Sequence, residues 1–391
     1  MRMCNQNLVW TTLLALLLGC DGSRARTSDG VADLFSTQST VQSPSSIDVW
    51  QAATESRSFT FPDDHAAHPD YRVEWWYYTG HLESEDGRRF GYQLTFFRTG
   101  LHQQPKNPSK WAVRDLYTAH FALSDVSNAR HYCHQRNSRQ GIGQAGAKVD
   151  VYEVWNGDWR ASLEKGFHRL QAVDGSMGID LQLTESKPPV LHGDGGLSRK
   201  GPSAGNASHY YSITRMVTSG TIRLGNDSYR VTGLSWMDHE FSTSFLEPGQ
   251  IGWDWFSIQL DDEVELMVYR MRRDDGTADP FSSGSFIRAD GQLSHLSKDD
   301  YELTPVKSWI SEATGAEYPL SWHLRIPSLG YELDVEPVFE SQEMMTDDTT
   351  GISYWEGAVD VSGSRERTSV RGHGYVELTG YVGQGLGSLF E

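Results

Sequence analysis

The stretch of the sequence with the clearest chemical potential is SWMDHEF at residues 235–241. If it forms a β-strand, Trp236, Asp238 and Glu240 share one face, and His239 points to the other. Two carboxyl groups beside a tryptophan raise each other's pKa through desolvation and like-charge repulsion. A carboxylic acid in such surroundings stays protonated near neutral pH and can donate a proton. The alternatives are a solvated acidic strand end and an aspartate that caps a turn.

Two other motifs match the residue spacing of catalytic patterns but lack the strand and helix that those patterns need. GPSAG at 201–205 fits G-x-S-x-G around Ser203, but a nucleophile elbow needs a strand before the serine and a helix after it. GIGQAG at 141–146 fits G-x-G-x-x-G, but no helix follows, as dinucleotide binding requires. Both are interpreted as loops.

His131, Cys133 and His134 place soft metal ligands within four residues. No second pair lies at a suitable spacing, so the group does not resemble a zinc motif. The favoured interpretation is a polar loop with one free thiol. The sequence therefore predicts neither a metal site nor a cofactor.

Composition excludes several classes of protein. The 391 residues include 34 Lys+Arg and 52 Asp+Glu, a formal net charge of −18, which disfavours nucleic-acid binding. Hydrophobic residues make up 38% of the chain, too few for a multi-span membrane protein. The many glycines, tryptophans and tyrosines favour short strands, tight turns and aromatic-lined surfaces.

The N-terminus has the pattern of an export signal. An apolar run at 8–18, too short to span a bilayer, follows one positive charge and ends in LLGC. This end resembles the bacterial lipobox, which implies that residues 1–19 are removed and that Cys20 is lipidated. Residues 20–58, rich in small polar residues, are predicted to tether the body to the membrane. We expect an exported lipoprotein on the periplasmic side of the bacterial cell envelope; an ordinary signal peptide is the alternative.

The body of the chain is predicted to be all-β. Aromatic-rich runs flank Glu85-Asp86-Gly87, and Asn156-Gly157 is a strong hairpin signal. Further turns separate paired runs along the chain, and no long amphipathic helix stands out. Residues 264–271 also fit a helical spacing, but the strand and turn that precede them favour a strand.

Eight motifs carry a family resemblance. They are EWWYYTGHL (74–82), FGYQLTFFR (90–98), HGDGG (192–196), SHYYS (208–212), GLSWMDHEF (233–241), GWDWF (252–256), YWEGAV (354–359) and GYVELTGY (374–381). Together they resemble the AttH/CrtC-like family, which is related to carotenoid 1,2-hydratase and often described as predicted secreted hydrolases. The resemblance covers about residues 59–381.

The resemblance implies two tandem lipocalin-like antiparallel β-barrel domains. We place them at 59–243 and 244–391, so that Asp238 falls near their junction. In the hydratase branch the aspartate of the Asp-His motif is thought to donate the proton, and Asp238 is the matching position. That branch usually has asparagine after Asp-His, whereas this chain has Glu240. This departure makes carotenoid hydration itself doubtful.

A mechanism follows for the predicted site. Protonating an alkene needs a strong acid held out of water, and aromatic ring faces stabilise the resulting carbocation. Asp238, Glu240 and His239 are the candidate catalytic residues. The candidate substrate-binding residues are aromatic and lie in the same motifs: Trp75, Trp76, Tyr78, Trp236, Trp253, Trp255 and Tyr211.

The leading hypothesis is thus a protein that takes a long hydrophobic ligand, such as a terpenoid or lipid, into a barrel and hydrates it. A non-catalytic carrier and a secreted hydrolase are the alternatives. The expected partners are the ligand and the membrane, and the oligomeric state stays open.

Overall fold

The structure, a computed structural model, describes residues 48–109, 111–244 and 246–382. The first sheet consists of Val73–Ser84 (β1), Arg89–Gly100 (β2), Asp115–Asp125 (β3), Arg130–Arg139 (β4), Ala145–Ala147 (β5), Glu153–Asn156 (β6), Trp159–Glu164 (β7), Phe167–Asp174 (β8), Met177–Glu185 (β9), Val190–Leu191 (β10), Leu197–Arg199 (β11), Ala207–Leu224 (β12) and Asp227–Ser242 (β13).

The second sheet consists of Gln250–Leu260 (β14), Glu265–Arg273 (β15), Ser283–Ile287 (β16), Leu293–Ser297 (β17), Glu302–Ile310 (β18), Glu317–Ile326 (β19), Tyr331–Pro337 (β20), Glu343–Met344 (β21), Tyr354–Arg365 (β22) and Thr368–Leu378 (β23). Short 3-10 turns lie at Asp63–His65, Val126–Asn128, Lys298–Asp300 and Pro327–Leu329. Among the described residues, no helix is long and apolar enough to cross a membrane.

Both sheets are antiparallel and curled, so the predicted all-β fold of two lipocalin-like barrels is confirmed. The first is a near-barrel with the main order β4-β3-β2-β1-β13-β12-β9-β8-β7-β6-β5. The second is a half-barrel with the main order β17-β16-β15-β14-β23-β22-β20-β19-β18. Strands β1 and β13 form the middle of the first sheet, and β14 and β23 the middle of the second.

The hairpins follow the local sequence. Asn156-Gly157 joins β6 to β7, and Gly157 has a φ of 65°, which glycine adopts without strain. The ambiguous run at 264–271 is extended in β15, as predicted. The prediction of a loop at His131–His134 is wrong, because these four residues lie in β4. There His131 bonds to Ser124, because β4 pairs with β3.

Side chains fill the interior of the near-barrel. A buried cluster there includes Trp76, Tyr78, Trp159 and Tyr211, all without meaningful solvent exposure. A separate cluster, around Trp236 and its aromatic neighbours, lies between the two sheets. The aromatic cluster that borders a cavity therefore lies between the two sheets, while the interior of the near-barrel is packed.

The segment that precedes β1 packs on the near-barrel. Ala53 is buried, and the ring of Trp50 covers Gly100. Backbone hydrogen bonds also fix this segment, including one from Gln51 N–H to Asp70 O at 2.9 Å. Packed structure thus begins within the residues that the sequence assigned to the tether.

Arg136 on β4 joins the two edges of the near-barrel. Its guanidinium donates hydrogen bonds to Asn156 O at 3.2 Å and to Val173 O at 3.0 Å. It also lies over the ring of Trp159, 4.2 Å from the centroid. One side chain therefore satisfies carbonyl groups on two strands that β4 does not pair with.

We predict that Arg136→Ala lowers the free energy of unfolding by about 1–3 kcal/mol, because the partly buried Asn156 O loses this donor and the contact with the ring of Trp159 is lost. Chemical denaturation measures this loss. Arg160→Ala is the matched control, since Arg160 is 44% exposed and pairs with Glu153 on the surface. Its expected loss is less than about 1 kcal/mol. Equal losses in the two variants would contradict the bridging role of Arg136.

Candidate functional site

A pocket of about 150 Å³ lies between the near-barrel and the half-barrel. Strands from both sheets supply its wall, which is mainly aromatic and carries several acidic groups. The lining residues are Trp75, Tyr77, Phe97, Lys200, Ala207, Ser208, Tyr210, Asp238, Glu240, Ser242, Ser244, Leu246, Trp253, Trp255, Tyr269, Met271 and Glu377.

Strand alternation explains why Asp238 and Glu240 both reach this pocket. In β13 they are two residues apart, so they project from the same face, as the sequence predicts. Tyr77 lies opposite Asp238, and Tyr210 lies opposite Glu240, on the neighbouring strands β1 and β12. Because paired residues share a face, the register brings all these side chains to the space between the sheets.

Asp238 is held by three hydrogen-bond donors. Tyr210 O–H donates to Oδ2 at 2.7 Å, while Trp236 Nε1–H at 2.6 Å and Ser212 O–H donate to Oδ1. Burial raises the pKa of Asp238 to about 7, these donors partly offset it, and the charge of Glu240 adds to it. A carboxyl group with this pKa is partly protonated near neutral pH, and the three donors fix its position on the pocket wall.

A buried chain of hydrogen bonds leads away from Asp238. Ser212, which donates to Asp238, also contacts Nε2 of His192 at 2.6 Å. Nδ1 of His192 contacts Ser285 on β16 at 2.8 Å. Burial lowers the pKa of His192 to about 3, so the ring is neutral and offers one donor and one acceptor. This chain can orient or return the proton of Asp238 without opening the pocket.

Two glutamates of the half-barrel lie at the junction between the sheets, and one of them, Glu377, lines the pocket. Burial raises the pKa of Glu377 to about 7, with the charges of Asp238 and Glu240 adding to it. Burial and the charge of Glu377 raise the pKa of Glu356 well above its usual value. Tyr77 donates a hydrogen bond to Glu356, and Trp253 Nε1–H donates to Glu377 at 3.0 Å. The pocket therefore joins carboxyl groups from both sheets.

Lys200 is the cationic side chain in the pocket wall among the described residues. Its ammonium lies 3.4 Å from Oε1 of Glu240 and 4.4 Å from the ring centroid of Tyr269. Burial works against its charge, but Glu240 more than offsets this, so the pKa of Lys200 is raised. Lys200 neutralises Glu240 and leaves Asp238 and Glu377 without a direct cation.

Aromatic rings enclose the acid. The ring of Trp255 meets Tyr77 edge-on, with the centroids 5.3 Å apart, and Trp236 at 6.3 Å. Trp255 Nε1–H donates to the Tyr210 hydroxyl at 3.1 Å, which fixes the donor of Asp238 in turn. Ser208 also lines the pocket, and its buried Oγ has no hydrogen-bond partner among the described residues. A ligand polar group can satisfy this hydroxyl.

The remaining predicted residues lie on the opposite face of the same strands. Trp76, Tyr78, Tyr211 and His239 project into the near-barrel, and His239 stacks on Trp76 with centroids 4.9 Å apart. None of these four lines the pocket. By contrast, Trp75, Trp253 and Trp255 line it, and Trp236 lies directly behind Asp238. Cys20 lies outside the described residues.

A second polar network occupies that opposite face. His239 Nε2 lies 2.9 Å from Oε1 of Glu74, and Arg98 Nε–H donates to Oε2 at 3.1 Å. Although Glu74 is fully buried, hydrogen bonds from His239 and His68 and the charge of Arg98 hold its pKa well below the usual range. Burial lowers the pKa of His239 to about 4, so its ring is neutral at pH 7.

The formal nucleophile motif does not form a triad. Ser203 is exposed in the turn before β12, and its backbone N–H donates to Glu247 at 3.3 Å. A strand follows it rather than a helix, as the sequence indicates. The GIGQAG segment leads directly into β5, so it remains a loop without a nucleotide-binding helix.

Sequence reasoning assigned no role to several residues of the site. These are Tyr77, His192, Lys200, Tyr210, Ser212, Glu356 and Glu377. Most of them lie in the motifs that carry the family resemblance, such as HGDGG, SHYYS, YWEGAV and GYVELTGY. Their presence in these motifs is the sequence signal that could have identified most of these residues.

The chain is similar to one described protein family and to several solved structures. The profile of the family described as AttH-like matches residues 52–381. The crystal structure of a protein described as AttH from Nitrosomonas europaea is 36% identical, with a TM-score of 0.76 over 84% of this chain and 98% of that chain. Kievitone hydratase from Nectria haematococca shares the fold, with 14% identity and a TM-score of 0.65 over 87% of this chain and 99% of that chain.

Two curated relatives are 22–23% identical to parts of the chain. Kievitone hydratase of Fusarium solani subsp. phaseoli is 23% identical over 54% of this chain and 59% of its own length. Dehydratase asqC of Emericella nidulans is 22% identical over 54% of this chain and 60% of its own length. The chain thus spans about three-fifths of the length of these relatives.

We predict that Asp238 makes stability fall as the pH rises from about 4 to about 7. The pKa of Asp238 is raised from 3.8 to about 7 in the folded protein, so in this window the folded chain keeps a proton that the unfolded chain has lost. Relative to wild type, Asp238→Asn should gain about 1.4 kcal/mol of stability per pH unit across the window.

Denaturation curves at several pH values test this prediction. Asp290→Asn, at an exposed turn, is the matched control for the loss of a carboxyl group. Parallel pH profiles for wild type and Asp238→Asn would show that Asp238 does not hold a proton in this range.

Proposed function

The chain belongs to the AttH-like family, and we propose that it is a hydratase or dehydratase acting on an apolar substrate in the pocket between its two sheets. The observation that carries the proposal is Asp238, a buried acid with a pKa near 7, at an aromatic pocket wall. The names of two curated relatives, a hydratase and a dehydratase, support this reaction class.

Hydration begins with protonation of a double bond, which needs a strong acid held out of contact with bulk water. Asp238 transfers its proton to one carbon of a double bond, and the positive charge develops on the other carbon. Trp75, Trp253 and Trp255 line the pocket, and in this proposal their rings stabilise the cation electrostatically. Dehydration follows the same steps in reverse, with Asp238 regenerated as the acid when the substrate carbon loses its proton.

A second carboxyl group completes the reaction. A water molecule adds to the cation, and its surplus proton passes to Glu377, which has a pKa near 7 and lies on the pocket wall contributed by the half-barrel. The pair works because one group is protonated while the other is ionised. The charge of Glu240, which pairs with Lys200, adds to the raised pKa of Asp238.

The pocket volume bounds the substrate. A cavity of about 150 Å³ is close to the size that accommodates a single benzene-sized group. We therefore propose that one unsaturated end of the substrate enters the pocket and that any longer part extends outside it. A long molecule threaded into the near-barrel does not fit the packed interior.

Export and anchoring are further parts of the proposal. The sequence pattern around Cys20 supports a lipoprotein attached on the periplasmic side of the cell envelope. Such an anchor would keep the pocket near membrane-derived apolar molecules. Labelling with a radioactive fatty acid, in wild type and in Cys20→Ser, tests the anchor independently of the reaction.

We predict that Asp238→Asn lowers kcat/KM by about 10²–10⁴-fold, the usual contribution of a general acid. The purified protein is incubated in ¹⁸O-labelled water with kievitone and a panel of small terpenoid alkenes. Mass spectrometry then measures the label in the alcohol products. The wild-type rate should fall above about pH 7, where Asp238 loses its proton, and Glu377→Gln should lower it too.

Controls separate chemistry from binding. Asp290→Asn should keep the wild-type rate, and Asp238→Asn should keep ligand affinity within a few fold, as measured by quenching of tryptophan fluorescence. Normal turnover by Asp238→Asn would overturn the proposed acid.

The aromatic wall favours a carrier as a second candidate function. Binding to this wall requires apolar contact and leaves the proton of Asp238 unused. A carrier would bind members of the panel in wild type and in Asp238→Asn alike and would incorporate no label. That result would replace the hydratase proposal.

A further inference from the structure

A second group of ligand-type side chains lies in the near-barrel, on the opposite face of β1 and β12 from the pocket. His65 ends the 3-10 turn Asp63–His65, His168 lies on β8, and Glu185 ends β9. One donor atom from each residue lies within 4.8 Å of the others. Both histidines are buried, while the side chain of Glu185 is 31% exposed. The group is thus accessible from solvent on one side.

The two imidazole rings are oriented in the same way. Nδ1 of His65 contacts the Tyr211 hydroxyl at 2.7 Å, and Nδ1 of His168 contacts the Tyr78 hydroxyl at 2.9 Å. Each Nε2 faces Oε1 of Glu185, at 3.7 Å for His65 and 3.2 Å for His168. A polar partner at Nδ1 that leaves Nε2 directed at a common point is the usual arrangement around metal-binding histidines.

Hydrogen-bond directions fix the tautomer of His65. Glu74 is an acceptor, so Nε2 of His239 carries the proton between them, and Nδ1 of this neutral ring has a lone pair. Two acceptors compete for the single proton of Tyr211, this lone pair at 2.8 Å and Asp64 O at 3.2 Å, and with either one the proton is not available to His65. The Tyr211 oxygen therefore accepts from Nδ1–H of His65. Nε2 of His65 consequently presents a lone pair to Glu185.

Two electron-pair donors that face each other are stabilised by a cation, or by a water molecule that donates to both, between them. The distance of 3.7 Å from Nε2 of His65 to Glu185 is too long for a direct hydrogen bond. Ligand atoms bound at 2.0–2.1 Å around a tetrahedral zinc ion are separated by about 3.3 Å. The measured separations of 3.2 and 3.7 Å lie on either side of this value.

We propose that His65, His168 and Glu185 form a binding site for a divalent transition-metal ion such as Zn²⁺, separate from the pocket between the sheets. Nε2 of each histidine and a carboxylate oxygen of Glu185 are the ligands. A fourth position faces solvent and takes water or an exogenous ligand. The ion ties the 3-10 turn before β1 to β8 and β9.

His68, Glu74 and His239 also bring their donor atoms within 4.8 Å of one another. There, however, the carboxylate is already neutralised by Arg98, whose Nε–H donates to it at 3.1 Å. Among the described residues, no lysine or arginine forms an ion pair with Glu185. Of these two groups, the one at Glu185 therefore combines a carboxylate that lacks a lysine or arginine partner with a histidine lone pair.

Zinc titration of the intact, metal-stripped protein tests the site. Wild type should bind one equivalent of Zn²⁺ in competition with a chromophoric chelator, and Co²⁺ should give the visible absorption of a low-symmetry site. Glu185→Gln and His168→Gln should each lower the affinity by about 100-fold or more, because each removes a ligand. Tyr211→Phe should lower it by about 10–100-fold, since the tautomer of His65 is no longer fixed.

Glu332→Gln, at an exposed glutamate of the half-barrel, is the matched control and should bind Zn²⁺ as wild type does. Circular dichroism and denaturation establish that each variant is folded, and the partly exposed Glu185 makes its variant the decisive one. Two results would overturn the proposal: less than one equivalent bound by wild type, or wild-type affinity in Glu185→Gln. The second result would assign the ion to another group such as that around Glu74.

Discussion

The alternation of side chains along β1, β12 and β13 is the constraint on which the rest of the structure depends. These neighbouring strands pair so that Tyr77 lies opposite Asp238, and Asp238 lies opposite Ser212. Because the side-chain period of a strand is two, a slip of one residue in β13 would exchange its faces. His239 would then enter the pocket, and Asp238 would enter the packed near-barrel. The register of three strands therefore decides which polar groups meet a ligand.

Buried carboxyl groups are stabilised in different ways on the two faces of these strands. On the near-barrel side, Glu74 is compensated by Arg98 and two histidines, which stabilise its ionised form. On the pocket side, Lys200 pairs with Glu240, and Asp238 has donors but no direct cation. Burial without a cation favours the neutral acid, so the pocket side keeps a transferable proton. One face thus favours an ionised carboxylate, and the other favours a neutral carboxylic acid.

Contacts between the two sheets hold Asp238 in position. Trp255 of the half-barrel donates to Tyr210, which in turn donates to Asp238. His192 connects Ser212 to Ser285 across the same junction. A group positioned by donors from two sheets loses little mobility when a ligand binds, which is the basis of preorganised catalysis. Docking of the half-barrel therefore both closes the pocket and orients its acid.

The sequence by itself determined the all-β fold, its principal hairpins, the family resemblance and the shared face of Asp238 and Glu240, because turn chemistry and a period of two act over a few residues. It did not distinguish Trp75 from Trp76, since both faces of β1 are aromatic and only sheet packing shows which one borders the pocket. The sequence also did not indicate that Glu377 lines the pocket or that His65 lies beside His168. Tertiary structure alone brought these distant residues together, because the curling and docking of the sheets depend on non-local pairing.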